Sequence, residues 1–317
     1  MNRNRLTAVM VAGALLLAAQ AFPQKGKGAG YGRAVVTIFA KHSEVAPNVS
    51  QKDVGIKVNG KDSGVTGWAQ FKGADDALEL VVLIDSGARN LGRQFEEITQ
   101  FLQSLGPHTK IAVGYMENGR AVMAGPLSAD HKQVVGELHL PTGPSTNPYF
   151  SLSDLARNWP SQNGSSQNSQ AQKVRREVIL LSDGVDPNNP RFDPDDPYVQ
   201  SAIQDSVRAG LVIYTIYWRS RPDGGDNSMT ANGGQSLMDE VTQATGGNSY
   251  WSGAGNPVSF QPFFEDLMRR FANQYALEFA AAIDRKPAIE TLKLKVEGLG
   301  LQVTSPQQVF VDRTPAS

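Results

Sequence analysis

The sequence contains no cysteine, which removes a disulfide framework, a thiolate nucleophile, a cysteine-based zinc site and lipid attachment at a lipobox. An excess of one charge is missing too: 30 basic and 31 acidic residues leave a formal net charge of -1. Nucleic-acid binding relies on a concentrated basic face, and this composition argues against one. No Gly-x-Ser-x-Gly elbow, Gly-x-x-x-x-Gly-Lys-Ser/Thr phosphate loop or Gly-x-Gly-x-x-Gly fingerprint occurs, so the motifs for those chemistries are not there. The four histidines, His42, His108, His131 and His139, have no His-x-x-x-His spacing and read as surface residues. Nor does any apolar run reach the roughly 20 residues that span a bilayer as a helix.

The longest such run, Leu6 to Ala19, follows Arg3 and Arg5 and precedes Ala19-Gln20-Ala21, a small-x-small pattern. Together these read as a cleaved secretory signal over residues 1–21, with an uncleaved anchor or a soluble amphipathic segment as the alternatives. Cleavage would leave 28 basic against 31 acidic residues. Export to the periplasm or the medium follows from that reading, with no stable membrane span afterwards.

What is present is a chain with 40% apolar and 19% charged residues, enough for one large domain and a smaller one. Residues 22–33, rich in Gly and Lys, read as a flexible lead-in. From 34 to 77 short β-type runs (Ala34 to Ile38, Val54 to Val58, Val65 to Phe71) are separated by turn signals. The pattern then changes. Leu78 to Ile84 and Glu177 to Leu181 are almost wholly apolar, as strands buried on both faces of a parallel sheet must be. Ile111 to Tyr115 and Leu211 to Tyr217 are similar, and Arg120 to Met123 suits an edge strand. Helical spacing predicts helices over Leu91 to Leu105, Phe150 to Trp159, from Pro197 with Asp196 as N-cap and Gly210 as its stop, from a capping box at Ser236 and Asp239, and over Gln261 to Gln274. Alternating strands and helices over 78–274 predict a doubly wound, mostly parallel α/β sheet with helices on both faces. After that, Tyr275 to Ala280, Thr291 to Val296, Leu301 to Val303 and Val309 to Val311 read as strands. Neither β-rich flank can bury its alternating face alone, so 34–77 and 275–313 are expected to pair into one small sandwich-like β-domain.

Two apolar strands end in a carboxylate, Ile84-Asp85-Ser86-Gly87 and Leu181-Ser182-Asp183-Gly184. In an open α/β sheet the ligand crevice lies at the carboxyl ends of the strands, so both acids are candidates for one site. Two buried carboxylates side by side repel and need a cation or N–H groups between them. Between them in sequence, the loop Gly143 to Tyr149 could bring a hydroxyl to the same point. The acidic loop Asp186 to Asp196 lacks EF-hand spacing and reads as a Pro-rich surface loop ending in a helix cap. Tyr217-Trp218 and Tyr250-Trp251, at strand ends, read as core or rim packing with a recognition patch as the alternative.

An apolar strand, an Asp-x-Ser-x-Ser loop, a helix, a threonine loop and a Leu-Ser/Thr-Asp-Gly strand end, in that order, resembles the von Willebrand factor type A domain over Leu78 to Gln274. The flanks, Asp195 to Gln200 and Gln307 to Val311 narrow the resemblance to the bacterial VWFA-related acidobacterial type. It implies a metal-ion-dependent adhesion site with Asp85, Thr146 and Asp183 as ligands. Gly87 and Arg89 stand where that family has serines, so the site is degenerate; Ser86, Arg89, Ser145, Thr146 and Asn147 are the polar residues left to bind a partner. A tight Mg2+ or Mn2+ site, a weak water-rich one, and a metal-free crevice in which the Arg89 guanidinium bridges the acids all remain open, with no cofactor the leading expectation. The functional expectation is an exported binding module, not an enzyme, that captures a protein ligand at the sheet's carboxyl edge. The alternative is a structural envelope component that makes its contacts through the β-domain.

Overall fold

The computed structural model describes residues 28–40, 48–73, 76–85, 91–142, 147–163, 174–182, 184, 186, 188–189, 191–219, 228–254, 258–283, 286–298 and 300–313. The chain opens with β1 (Gly28–Ala40), β2 (Val54–Val58) and β3 (Lys61–Gln70). It then runs β4 (Leu78–Asp85), α1 (Arg93–Ser104), β5 (Thr109–Glu117), β6 (Arg120–Met123), α2 (His131–Gly136), α3 (Pro148–Arg157), β7 (Arg175–Ser182), α4 (Pro197–Ala209), β8 (Leu211–Arg219), α5 (Ser228–Thr245), β9 (Ser249–Ala254) and α6 (Gln261–Phe271). It closes with β10 (Gln274–Ile283), β11 (Ala288–Val296), β12 (Leu301–Thr304) and β13 (Gln308–Asp312).

The α/β domain is a six-stranded sheet in the order β6-β5-β4-β7-β8-β9. β4 runs parallel to both β5 and β7, and β7, β8 and β9 continue in parallel, leaving β6 as an antiparallel edge. All of β4 is buried, and its alternating side chains serve two cores. Leu78, Leu80, Val82 and Ile84 pack with α1 and α6, while Val81 and Leu83 pack with α3, α4 and α5. This is why the strand reads as an unbroken apolar run.

The flanks do share one domain, as their patterns require, but as a closed barrel in place of a sandwich. The ring β10-β3-β2-β11-β13-β1 returns to β10, and β12 joins outside it on the end of β1. β1 makes the closure, pairing with β10 from Gly28↔Ile283 to Thr37↔Gln274 and with β13 at Tyr31 and Gly32. Closure satisfies backbone groups that a sandwich would leave at its edges. The expected lead-in is corrected here: Gly28–Arg33 is strand, not flexible tether. Gly30 and Gly32 reflect crowding, since a Cβ on Gly30 would lie 2.7 Å from Val311 and one on Gly32 2.3 Å from the Phe279 ring.

A second correction concerns α5, which starts at Ser228 and carries Ser236 within it, exposed, so Ser236 is not a helix start. Gly233-Gly234 looks like a break in sequence but lies inside the helix. A Cβ on Gly233 would meet the Phe192 ring at 2.2 Å, so the glycine admits that ring to the helix surface. The N-cap Asp196 and the left-handed C-cap Gly210 of α4 are as the sequence predicts.

The two domains meet around Arg175 at the amino end of β7. Its buried guanidinium donates to the Phe271 carbonyl at 2.9 Å and to the side chains of Gln274 and Asp76, and it lies over the Phe71 ring. Phe71 and Asp76 belong to the first crossing between domains, Phe271 and Gln274 to the second. One cation therefore ties both crossings, and Phe71 N–H donates to the Gln274 carbonyl at 3.0 Å beside it. Glu177 is fully buried in the same cluster, 4.0 Å from Arg175, with Gln274 and Tyr214 also acting on its carboxyl but short of full hydrogen-bond geometry.

Candidate functional site

The parallel strands deliver their carboxyl ends, and the helices on the sheet their amino ends, to one rim. Asp85 ends β4 and Ser182 ends β7, and these strands are direct neighbours. Asp85 is fully buried. Its Oδ2 accepts a hydrogen bond from Ser182 Oγ at 2.7 Å, and Ser182 Oγ accepts one from Gly184 N–H at 3.0 Å. The relay fixes the first turn of the β7–α4 loop to the buried carboxylate. The hydroxyl thus satisfies one oxygen of a group held away from water.

Of the residues singled out by the sequence, Ser86, Gly87, Arg89, Ser145, Thr146 and Asp183 lie outside the described residues, and so does the expected Arg89 bridge between the acids. Asn147 is described and buried, but its oxygen is committed to the fold. Asn147 Oδ1 caps α3 by accepting from Tyr149 N–H at 2.9 Å and Phe150 N–H at 3.0 Å. Its Nδ2 is buried and acts on the Asp186 carboxyl without reaching hydrogen-bond geometry.

Two residues that sequence reasoning missed lie beside it. The fully buried Tyr149 has an unpartnered hydroxyl, and Asp186, 1% exposed, has an unpartnered Oδ2, its Oδ1 accepting from Asn188 N–H at 2.7 Å. Burial pushes the Tyr149 phenol well up, and the acidic field of Asp186, Tyr217, Glu240 and Asp196 adds to this. Burial likewise raises the Asp186 carboxyl, as does the charge of Asp196, against the lowering effect of the Asn188 N–H and the Asn147 amide. Ser182 is the third miss. Its hydroxyl, directly before the conspicuous Asp183, was the legible signal; the Tyr149 and Asp186 contacts had none.

The acidic loop before α4 binds its own backbone. Asn189 Oδ1 accepts from Asp193 N–H at 2.9 Å, Asp193 Oδ1 from Asp195 N–H at 3.0 Å, and Asp196 Oδ1 caps α4 through Tyr198 N–H at 2.9 Å. Phe150 and Tyr198, near the starts of α3 and α4, form a tilted ring pair with centroids 4.1 Å apart, and Tyr198 is 42% exposed. Tyr217 stacks on the exposed Trp251 across β8 and β9 at 4.8 Å, whereas Trp218 and Tyr250 are core residues.

The resemblance implies a divalent cation, and its donor set is short. Gly87 has no side-chain ligand atom, Arg89 is a cation, and Asp85 already accepts from Ser182. Among the described residues no group of three or more His, Asp or Glu side chains is placed to hold a metal ion. Of the expected ligands Asp85, Thr146 and Asp183, Asp85 alone is among the described residues.

No family model and no curated protein matches the chain. Among solved structures it is similar to the human COPII-coat protein Sec24c, at 11% identity over 74% of this chain and 43% of that one, with a TM-score of 0.38. The chain thus spans less than half the length of that protein. It is also similar to the SpRpn10 VWA domain, at 12% identity over 60% of this chain and 95% of that one, with a TM-score of 0.37. The fold assignment rests on strand order and register, not on these likenesses: a mixed sheet flanked by helices, of Rossmann-like and von Willebrand factor A-like layering, joined to a separate closed β-barrel.

Proposed function

We propose that this chain is a protein-binding module of von Willebrand factor A type whose partner seats at the carboxyl edge of the α/β sheet, beside Asp85 and Ser182. One observation carries the reading. Three buried polar atoms that fall short of hydrogen-bond geometry, Asn147 Nδ2, Tyr149 OH and Asp186 Oδ2, belong to the first turn of α3 and the loop that leads into α4 at that edge. Each such atom costs about 1–3 kcal/mol, and folds keep costs of this kind chiefly at functional sites. The module works after export, as a binder and not as a catalyst, with metal dependence weakened or lost through Gly87 and Arg89. Contacts through the β-domain are the weaker alternative, because ring closure leaves fewer unpaired strand edges there to offer a partner.

The test is capture from the envelope of the source cells with the mature chain and with Asp183→Ala as baits, each checked for native circular dichroism. The Asp183→Ala bait is expected to lose its specific partners at least tenfold. Recovery of the same partners at wild-type levels from both baits would overturn the reading.

A further inference from the structure

We propose that the rim where α3 and α4 begin is a docking surface for a lysine- or arginine-bearing segment of the partner protein, held between the Phe150–Tyr198 ring pair and the carboxylates of Asp193, Asp195 and Glu240. The inference rests on the partner-binding reading above and names the partner's chemistry. α3 and α4 pack on the same face of the sheet, and their first turns present the two rings side by side. An exposed tyrosine braced by a second ring is a preformed platform, which loses little conformational freedom on binding. Such a face accepts a guanidinium or ammonium group through its negative quadrupole.

The charges around the platform select the same ligand. Asp193 and Asp195 are exposed next to Tyr198. Glu240 accepts from Gln200 Nε2 at 3.1 Å, and its carboxyl is raised by burial and by the charge of Asp195. The principal charges acting on Asp186, Glu240 and the Tyr149 phenol are all acidic. The buried, unpartnered Tyr149 hydroxyl and Asp186 Oδ2 lie in that same field. Among the described residues no cation offsets it: Arg157 and Arg208 lie in the last turns of α3 and α4, away from the rim and engaged with Asp205, and the exposed Arg191 is not among the principal charges on these groups. The amino ends of α3 and α4 would on their own favour an anion. Asn147 and Asp196 already occupy their first amides, so the acids set the sign. A phosphate-rich surface, whether membrane or nucleic acid, would be repelled.

The probe is the blocked peptide Gly-Arg-Gly-Arg-Gly, with Gly-Glu-Gly-Glu-Gly as its opposite, titrated into the 15N-labelled mature chain. The arginine peptide is expected to shift amides near Phe150, Tyr198 and Gln200, more weakly at 300 mM than at 50 mM salt, and the glutamate peptide to shift none. Tyr198→Ser and the pair Asp193→Asn with Asp195→Asn should each weaken binding at least tenfold at an unchanged thermal midpoint, whereas Tyr198→Phe retains it. Asp183→Ala should bind the peptide as wild type does, which separates this surface from the crevice. Undiminished peptide binding by Tyr198→Ser overturns the docking surface even if Asp183→Ala loses the captured partner. Loss of the peptide by Tyr198→Ser with partners retained by Asp183→Ala supports the surface and overturns the crevice reading instead. Equal binding of the glutamate peptide also overturns the proposal.

Discussion

Glu177 makes the stability of the whole chain depend on pH. Burial pushes its carboxyl from the ordinary 4.5 up to about 7, although Arg175, Gln274 and Tyr214 all act to lower it. In the unfolded chain the group loses its proton near 4.5, and in the folded chain near 7. Between those values the folded state holds the extra proton, so its contribution to stability is complete below pH 4.5 and is lost as pH rises through about 7. At about 1.4 kcal/mol per pH unit the loss comes to about 3 kcal/mol. Asp76, Asp186 and Glu240 are also raised and slope the same way, so the wild-type curve alone does not isolate Glu177. The difference between wild type and Glu177→Gln does, because glutamine keeps the shape and cannot ionise. Urea unfolding followed by tryptophan fluorescence, from pH 4.5 to 8.5, should find Glu177→Gln gaining about 3 kcal/mol on wild type between the two ends. Parallel curves for the two proteins would refute the argument and mean that Glu177 is ionised in the fold at no such cost.

Ser182→Ala removes the hydroxyl donor to Asp85 and the acceptor for Gly184 N–H, and should lower unfolding free energy by about 2–4 kcal/mol; a loss below about 0.5 kcal/mol would mean the relay stabilises little. Deleting residues from Tyr275 onward takes away the β10, β12 and β13 partners of β1, and should abolish hydrogen-exchange protection of Ala34 to Phe71. Unchanged protection there would rule the shared barrel out. Chelators should leave the thermal midpoint of the wild-type chain where it is, whereas a rise of several degrees in millimolar magnesium or manganese would establish a bound metal, since only a ligand of the native state produces that shift.

The α/β half of the fold was legible because its strands carry the constraint locally. A run such as Leu78 to Ile84 is apolar at every position but one, and only a strand covered on both faces explains that. The barrel was half legible: alternation in Val54 to Val58 and Thr291 to Val296 shows that each strand has one wet face, but not whether the sheet closes on itself. Closure depends on β1 reaching back to Gly28, through a stretch whose glycines suggest a tether. At Gly32 and again at Gly233 the glycine makes room for a ring, Phe279 or Phe192, that is distant in sequence. Composition cannot separate glycine for freedom from glycine for approach, because the deciding residue lies elsewhere in the chain.

The same reasoning explains what was readable at the site. Asp85 stands out because a carboxylate that ends a fully apolar strand needs a partner, and that need is local. Which group meets it is not local. The sequence offers the more conspicuous Asp183 and Arg89, but it does not say which side chain faces Asp85. Ser182 is the one in register beyond Leu181, which pairs with Ile84. A hydroxyl donor there supports the acid without adding a second negative charge against it. The degenerate serine positions in the Asp85 loop therefore do not strip the carboxylate of support; the neighbouring strand supplies a hydroxyl.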